Sequence, residues 1–379
     1  MKLMFLTGSR GEWGYIRPLI KLCQDHNDFD YRLCVTNMHL LPSFGLSINE
    51  LTKDEITVHY KLYTALDGYT HVTMAKSLGL LVNSLADVIA SDKPDWLVLA
   101  GDRWEQMAGA IVGAFCYVPI AHIQAGEVSG NIDGMTRHAI GKYTHLHLAS
   151  NQDACDRLHK LGEEEFRVHN VGAPQLDELR TGQIAEINEV SGRLGIDLTK
   201  EFFLVVQHPV TERADNAFEE IKETLDALNQ FTQNKIIILP NNDAGSALIK
   251  KGIEEFRFGN YYVFSNLSRA DYLCLLKQAK CLIGNSSSGL LEAPSFKTPV
   301  VNLGERQRGR LRACNVVDQE YVSKKIVDSI NYVLNSNEFK ENLNSCLNPY
   351  GDGHSSERIL EILRLTRVDD KLLTKNLTY

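Results

Sequence analysis

Short apolar runs, each followed by a stretch of helical spacing, recur along this chain in two separate series, and that pattern limits its fold more than any other feature. The first series starts at Lys2–Thr7, after which Trp13, Ile16, Leu19, Ile20 and Cys23 recur one helical turn apart. It continues with runs at 31–37, 95–100, 119–123, 146–149 and 166–171, with a helical stretch at 104–117. From Leu176 to Lys200 the chain is polar and helix-like without a strand signal. The alternation then restarts at 203–207, 235–239, 261–264, 281–284 and 299–303, with helices at 216–230, 268–279 and 287–296. Strands alternating with helices imply parallel sheets with right-handed crossovers. The expected architecture is α/β, with two Rossmann-like, doubly wound domains: a first of residues 1–175 and a second of residues 176–379. In such sheets ligands bind beyond the carboxyl ends of the strands. Two sheets facing one another would place a site in the cleft between them. The last residues, 369–379, are polar and expected to fray.

Composition removes several classes of function. A formal net charge of −8 over 379 residues argues against general affinity for nucleic acid or an anionic membrane. The weakly polar run from Ala108 to Ala121 is too short to span a bilayer, and the N-terminus lacks a signal-peptide core, so a cytoplasmic protein is expected. No two of the eight cysteines stand in a CxxC spacing, so no thiolate metal or redox motif is expected, and they read as reduced core thiols.

The polar residues that follow the strands carry the candidate chemistry. After the first strand, Gly8-Ser-Arg-Gly11 is either an ordinary turn with a solvated arginine or a turn that turns Arg10 toward an anion. It lacks GxGxxG, and the chain lacks GxxxxGK[ST]. Asp102 and Arg103 follow the strand at 96–100, where a carboxylate serves as a base or a helix cap. Between Gln124 and His138 lie Glu127, Asp133, Arg137 and three glycines, the composition of a turn or of an active-site loop. Glu127, Asp133 and Asp102 could act as general acids and bases.

In the second half, His208 ends its first strand, and Asn241 lies in Pro-Asn-Asn-Asp-Ala-Gly-Ser after the next. Gly284-Asn-Ser-Ser-Ser-Gly289 opens a helix with hydroxyls and free amides, which suits phosphate oxygens; the alternative is a plain serine cap. Glu292 follows and could bind sugar hydroxyls. Gly304-Glu-Arg-Gln-Arg-Gly-Arg310 adds three arginines suited to a diphosphate.

In this order, GSRGEWG (8–14), GDR (101–103), HIQAGEVSGNID (122–133) with Arg137-His138, QHPV (207–210), PNNDAGS (240–246), GNSSSGLLEAPSF (284–296) and NLGERQRGR (302–310) resemble the hydrolysing UDP-N-acetylglucosamine 2-epimerases of sialic acid biosynthesis. The resemblance covers about residues 2–360. It implies the two-domain GT-B fold, no NAD, no metal and a homodimer. It makes Ser286, Ser287 and Glu292 diphosphate and ribose contacts. Arg10, Arg103, His208, Asn241 and Arg306 would hold UDP, and Asp102 and Asp133 would be catalytic acids. Where many members have Glu, this chain has Gln124, which cannot exchange a proton, so Glu127 becomes the candidate.

The implied reaction begins when a base takes the C2 proton as UDP leaves C1, giving a 2-acetamidoglycal. Arginines, the helix N-terminus and His208 would ease that loss. Water then adds at C1, and C2 is protonated on the opposite face. The products are UDP and N-acetylmannosamine. The alternatives are the same chemistry on a 2,4-diacetamido-trideoxy UDP-sugar, a GT-B glycosyltransferase, and a UDP-sugar-binding protein without catalysis.

Overall fold

The computed structural model describes residues 1–42, 46–66, 71–128, 132–181, 184–240, 245–265 and 267–378, the side chains at positions 50, 53, 71, 132, 133, 211 and 212 excepted. The chain runs β1 (Lys2–Thr7), α1 (Arg10–Asp25), β2 (Asp30–Thr36), α2 (Ile48–Lys53), β3 (Tyr60–Leu62), α3 (His71–Asp92), β4 (Trp96–Ala100), α4 (Trp104–Phe115), β5 (Ile120–Ala125), α5 (Ile132–Tyr143), β6 (Leu146–Ala149), α6 (Gln152–Lys160), β7 (Val168–Asn170) and α7 (Asp177–Arg180). It continues through α8 (Ile187–Leu194), β8 (Phe202–Val206), α9 (Ala217–Leu228), β9 (Asn234–Ile238), α10 (Ser246–Phe256), β10 (Tyr261–Phe264), α11 (Arg269–Gln278), β11 (Cys281–Gly284), α12 (Ser288–Leu291), α13 (Ala293–Phe296), β12 (Val300–Leu303), β13 (Val316–Gln319), α14 (Ser323–Asn335) and α15 (Asn337–Asn344). It closes with α16 (Ser355–Leu365) and α17 (Asp370–Leu373).

Two compact units result, one of residues 1–180 with 350–379 and one of residues 181–349. The first holds a seven-stranded sheet in the order β3-β2-β1-β4-β5-β6-β7 and the second a six-stranded sheet in the order β10-β9-β8-β11-β12-β13. The pairings in both are parallel. The two α/β units agree with the expected fold class. In each sheet the strand order reverses beside the first strand of the series, at β1/β4 and at β8/β11. The carboxyl ends of those strands are where such sheets bind ligands.

Central strands of a parallel sheet are covered on both faces, which is why they read as unbroken apolar runs. Along β1, Leu3 and Phe5 pack toward α1 and α16 through Ile16, Leu19, Ile359 and Leu363, while Met4 and Leu6 face α3 and α4 through Leu81, Leu85 and Val112. Along β8, Phe203 and Val205 join Ile221 and Ile326, and Phe202, Leu204 and Val206 join Val190 and Leu275. Each such side chain contributes roughly 1.5–3 kcal/mol on leaving water. On length and composition alone α3 could cross a membrane. Its Leu81, Leu85, Val88 and Ile89 are buried in the core, while Val72, Met74 and Leu80 are exposed. All eight cysteines are free; six are buried, and Cys116 and Cys314 are exposed.

The boundary differs from the expected 175/176 division in one respect that matters: residues 350–379 belong to the first unit. The tail is also held rather than frayed. The buried Arg167 guanidinium donates to the carbonyls of Leu372 at 2.7 Å, Lys371 at 2.9 Å and Thr374 at 2.9 Å. Asp369 caps α17 by accepting from Leu372 N at 3.0 Å. Without those carbonyls a buried guanidinium would keep only Glu164 Oε2 and the His145 carbonyl as acceptors, so polarity alone misjudged this segment.

Candidate functional site

In the first unit the site grows from the end of β4. Gly101 turns the chain through a left-handed conformation, φ 88°, which glycine adopts without cost. The turn is fixed by Gly101 N donating to Ile123 O at 3.1 Å and by His122 Nε2 at 2.6 Å from the Gly101 carbonyl. A carbonyl only accepts, so this nitrogen carries the proton. Burial lowers the His122 pKa to about 3, and the ring is neutral. Asp102 and Arg103 therefore stand just beyond the sheet.

Asp102 Oδ2 is ion-paired with Arg137 Nη2 on α5. Arg137 is buried, and its Nη1 donates to Gln124 O at 2.6 Å. Burial opposes the guanidinium's charge, but the Asp102 and Glu127 carboxylates hold its pKa above the ordinary arginine range. Gln124 is left-handed, φ 63°, at a shift of register between β5 and β6. Such a backbone costs about 1–3 kcal/mol and occurs at functional sites. Here the bulge turns the Gln124 carbonyl toward Arg137, while its side-chain amide reaches Gln175 Oε1 at 3.4 Å.

Glu127 is buried and its Oε1 accepts from Ser150 Oγ at 2.7 Å and from Asn151 Nδ2. Asn151 in turn caps α6. Asp102 and Glu127 thus share the field of one guanidinium. Asp133 lies in the first turn of α5, one turn before Arg137, and its side chain is outside the described residues. Arg10, the first residue of α1, is exposed.

A pair of buried carboxyl groups was not anticipated. Ser9 and Glu12 form a capping box: Glu12 Oε2 accepts from Gly8 N at 2.6 Å and Ser9 N at 3.0 Å. Glu105, fully buried, accepts from Asn37 Nδ2 at 2.5 Å and lies 3.3 Å from Arg103 Nε. Burial, reinforced by Glu105 and opposed by the Arg103 charge, raises the Glu12 pKa to about 8, so it is protonated at neutral pH. The Ser9-x-x-Glu12 spacing was the available signal for the first member.

In the second unit Gly284 ends β11 at φ 133°, where a Cβ would lie 2.1 Å from Val206 O. That approach brings Asn285 against the end of β8. Asn285 Oδ1 accepts from His208 N at 2.7 Å, and its Nδ2 donates to His208 O at 2.8 Å and to Tyr321 Oη at 3.1 Å. Its carbonyl accepts from Gln307 Nε2 at 2.9 Å and Arg306 Nη1 at 3.2 Å. Asn285, absent from the sequence-based candidates, thereby assembles His208, Arg306 and the serine loop. Burial, then the Arg306 charge, lowers the His208 pKa to about 3, so the imidazole is neutral.

Ser286 Oγ lies 3.2 Å from Ser288 Oγ, which is also hydrogen-bonded to Tyr272 Oη. Ser287 begins the next turn, its carbonyl accepting from Leu290 N and Leu291 N at 3.0 Å. The continuous helix expected over 287–296 is two four-residue turns, α12 and α13, parted at Glu292. The dipole of a long helix is therefore not available here. Of the loop's other arginines, Arg308 is exposed beside Glu305, and Arg310 donates to Gln307 Oε1 at 3.2 Å. Glu292 is buried, with Oε1 2.8 Å from Arg269 Nη1. Asn241 falls outside the described residues. Among the described residues no group of three or more His, Cys, Asp or Glu is placed to hold a metal ion.

The first unit thus offers carboxylates around a fixed cation, suited to moving protons. The second offers hydroxyls, a neutral imidazole and an arginine, suited to holding an oxyanion. Comparison with known proteins accords with this chemistry. The family profile described as UDP-N-acetylglucosamine 2-epimerase matches residues 21–364. The chain is 32% identical over 99% of its length to the hydrolysing UDP-N,N'-diacetylbacillosamine 2-epimerase of Legionella pneumophila, covering 98% of that protein. It is 30% identical over 96% of its length to a UDP-N-acetylglucosamine 2-epimerase of Neisseria meningitidis, covering 94% of it. A crystal structure of the Neisseria meningitidis UDP-GlcNAc 2-epimerase bound to UDP-GlcNAc superposes with a TM-score of 0.85 at 21% identity, over 97% of this chain and 100% of that one. With a profile spanning most of its length and relatives above 30% identity along nearly all of it, the chain belongs to the UDP-N-acetylglucosamine 2-epimerase family.

Proposed function

We propose that the chain is a hydrolysing 2-epimerase that converts UDP-N-acetylglucosamine to UDP and free N-acetylmannosamine. The observation that carries this reading is the Asp102–Arg137 pair with Glu127 beside it: acids held by a buried cation at strand ends, as proton removal and return at C2 require. In the first step a carboxylate takes the C2 proton and UDP departs from C1, leaving a 2-acetamidoglycal. Arg306, Ser286 and Ser287 stabilise the leaving diphosphate, with Arg10 and Arg103 as further anion contacts and Asn241 as a UDP contact. His208 supports them as a neutral hydrogen-bonding group. In the second step water adds across the glycal, its oxygen at C1, and an acid delivers a proton to C2 from the other face. Asp102, Glu127 and Asp133 serve these transfers. Gln124 holds Arg137 through its carbonyl and moves no proton.

A second reading keeps the chemistry and changes the sugar to UDP-2,4-diacetamido-2,4,6-trideoxyglucose. It is favoured by the names of the Legionella pneumophila relative and of one from Campylobacter jejuni, 35% identical over 90% of this chain, a GDP/UDP-N,N'-diacetylbacillosamine 2-epimerase (hydrolyzing). Either reading goes with a cytoplasmic homodimer.

Incubating the purified protein with each UDP-sugar and following products by NMR tests the proposal. UDP and the free 2-epimer are expected. UDP-N-acetylmannosamine as final product would show the non-hydrolysing reaction, dependence on an added acceptor a transferase, and binding without UDP release a sensor. Light scattering reads the oligomeric state.

A further inference from the structure

Glu292 sits between α12 and α13 with one carboxylate oxygen engaged and the other not. Oε1 meets Arg269 Nη1 at 2.8 Å, while Oε2 is buried without a hydrogen-bond partner among the described residues. A buried carboxylate oxygen left without a donor is costly, and it is commonly satisfied by a ligand's hydrogen-bond donor. Arg269 is the first residue of α11. Three residues on, Tyr272 from the same helix bonds the Ser288 hydroxyl, which lies 3.2 Å from Ser286 Oγ. One face of α11 therefore supports both the carboxylate and the hydroxyl cluster of the loop that follows β11.

We propose that Arg269 is a positioning residue that presents Glu292 to a cis-diol, so that the site selects ribonucleotide sugars over 2′-deoxyribonucleotide sugars. This rests on reading the loop as a UDP-sugar site with Glu292 at the ribose, and the role of Arg269 is the step beyond that reading. The guanidinium fixes Oε1 by a charge-assisted bond, which leaves the carboxylate one orientation in place of several. Oε2 then accepts from a ribose hydroxyl. A site built to receive a hydroxyl discriminates strongly against the analogue that lacks it, because its acceptor is left buried and unpaired.

Calorimetric titration of the full chain with UDP and with 2′-deoxy-UDP tests this. The wild type is expected to prefer UDP by at least ~10-fold, the effect of one hydrogen bond to a charged group. Arg269→Ala should weaken UDP by a similar factor and leave 2′-deoxy-UDP within about twofold, so that the preference collapses. Arg269→Lys, which keeps the charge, should restore part of it. Adding Glu292→Gln to Arg269→Ala should cause no further loss of preference. Equal binding of the two ligands by the wild type, an unchanged preference in Arg269→Ala, or equal weakening of both ligands would each overturn the proposal. Absence of any UDP binding by the folded wild type would instead defeat the reading on which it rests. Circular dichroism confirms folding, and should Arg269→Ala not fold, Arg269→Gln is read in its place.

Discussion

Asn285 grips His208 by both backbone atoms, its Oδ1 accepting from the His208 amide at 2.7 Å and its Nδ2 donating to the His208 carbonyl at 2.8 Å. A side-chain amide is the only group of that size able to do both. Asn285→Ala takes a side-chain partner from two part-buried backbone groups and should cost about 1–3 kcal/mol of stability. Asn285→Asp keeps the acceptor and loses the donor. It should stay folded and bind UDP more weakly, with Arg306→Ala weakening UDP through the charge itself. Thermal melts and calorimetry separate the two effects. Unaltered UDP affinity in both Asn285→Asp and Arg306→Ala would remove this loop from the site.

Asp102→Asn keeps the shape of the side chain and deletes its proton chemistry. Turnover should fall roughly 10²–10⁴-fold while the protein stays folded. Arg137→Leu removes a cation that both acids interact with and should lose both stability and activity, since Asp102 loses its ion-pair partner and the buried Glu127 a nearby compensating charge. Steady-state rates of both variants near the wild-type value would reduce the pair to a structural ion pair.

Glu12 makes stability depend on pH. Its pKa rises from 4.5 to about 8 on folding, because of burial and then Glu105. Above 4.5 the unfolded chain has released the proton that the folded chain keeps. Stability from this group is complete below about 4.5 and is lost as pH climbs through about 8. Glu12→Gln should flatten that decline. Urea midpoints measured from pH 5 to 9 read the difference, and identical slopes in wild type and variant would refute the assignment.

Product made in D₂O should carry deuterium at C2, because inversion there breaks the C–H bond and an exchangeable acid restores it. If Glu127 serves elimination, Glu127→Gln slows deuterium entry and UDP release together. If it serves only hydration, UDP is released and the glycal accumulates. Full protium at C2 would end the elimination mechanism, and an unimpaired Glu127→Gln enzyme would remove Glu127 from it.

The buried strands were legible because both faces of each are covered, which leaves an apolar run in the sequence. β3 and β13 were not, since Tyr60–Leu62 and Val316–Gln319 are short and only partly covered. The loops after β4, β8 and β11 were found from their position at strand ends together with their residue types. What joins their residues was hidden: Asn285 meets His208 across 77 positions through the β8–β11 register, and Arg137 on α5 meets Asp102 across 35. Glu12 was readable in part, as the local Ser-x-x-Glu cap. Its partner Glu105, drawn in from another strand's end, was not.

The return of residues 350–379 to the first unit makes the second unit an insertion within the first. Synthesis on the ribosome then proceeds in an order the fold does not follow. Arg167 is made before the whole of the second unit, and the carbonyls that receive it, at Lys371, Leu372 and Thr374, are made after. The second unit is complete while the first still lacks α16 and α17. Nascent chains halted near residue 349 should protect the second sheet from protease and leave the first open, and a chain cut short before Lys371 should lose the domain that begins it.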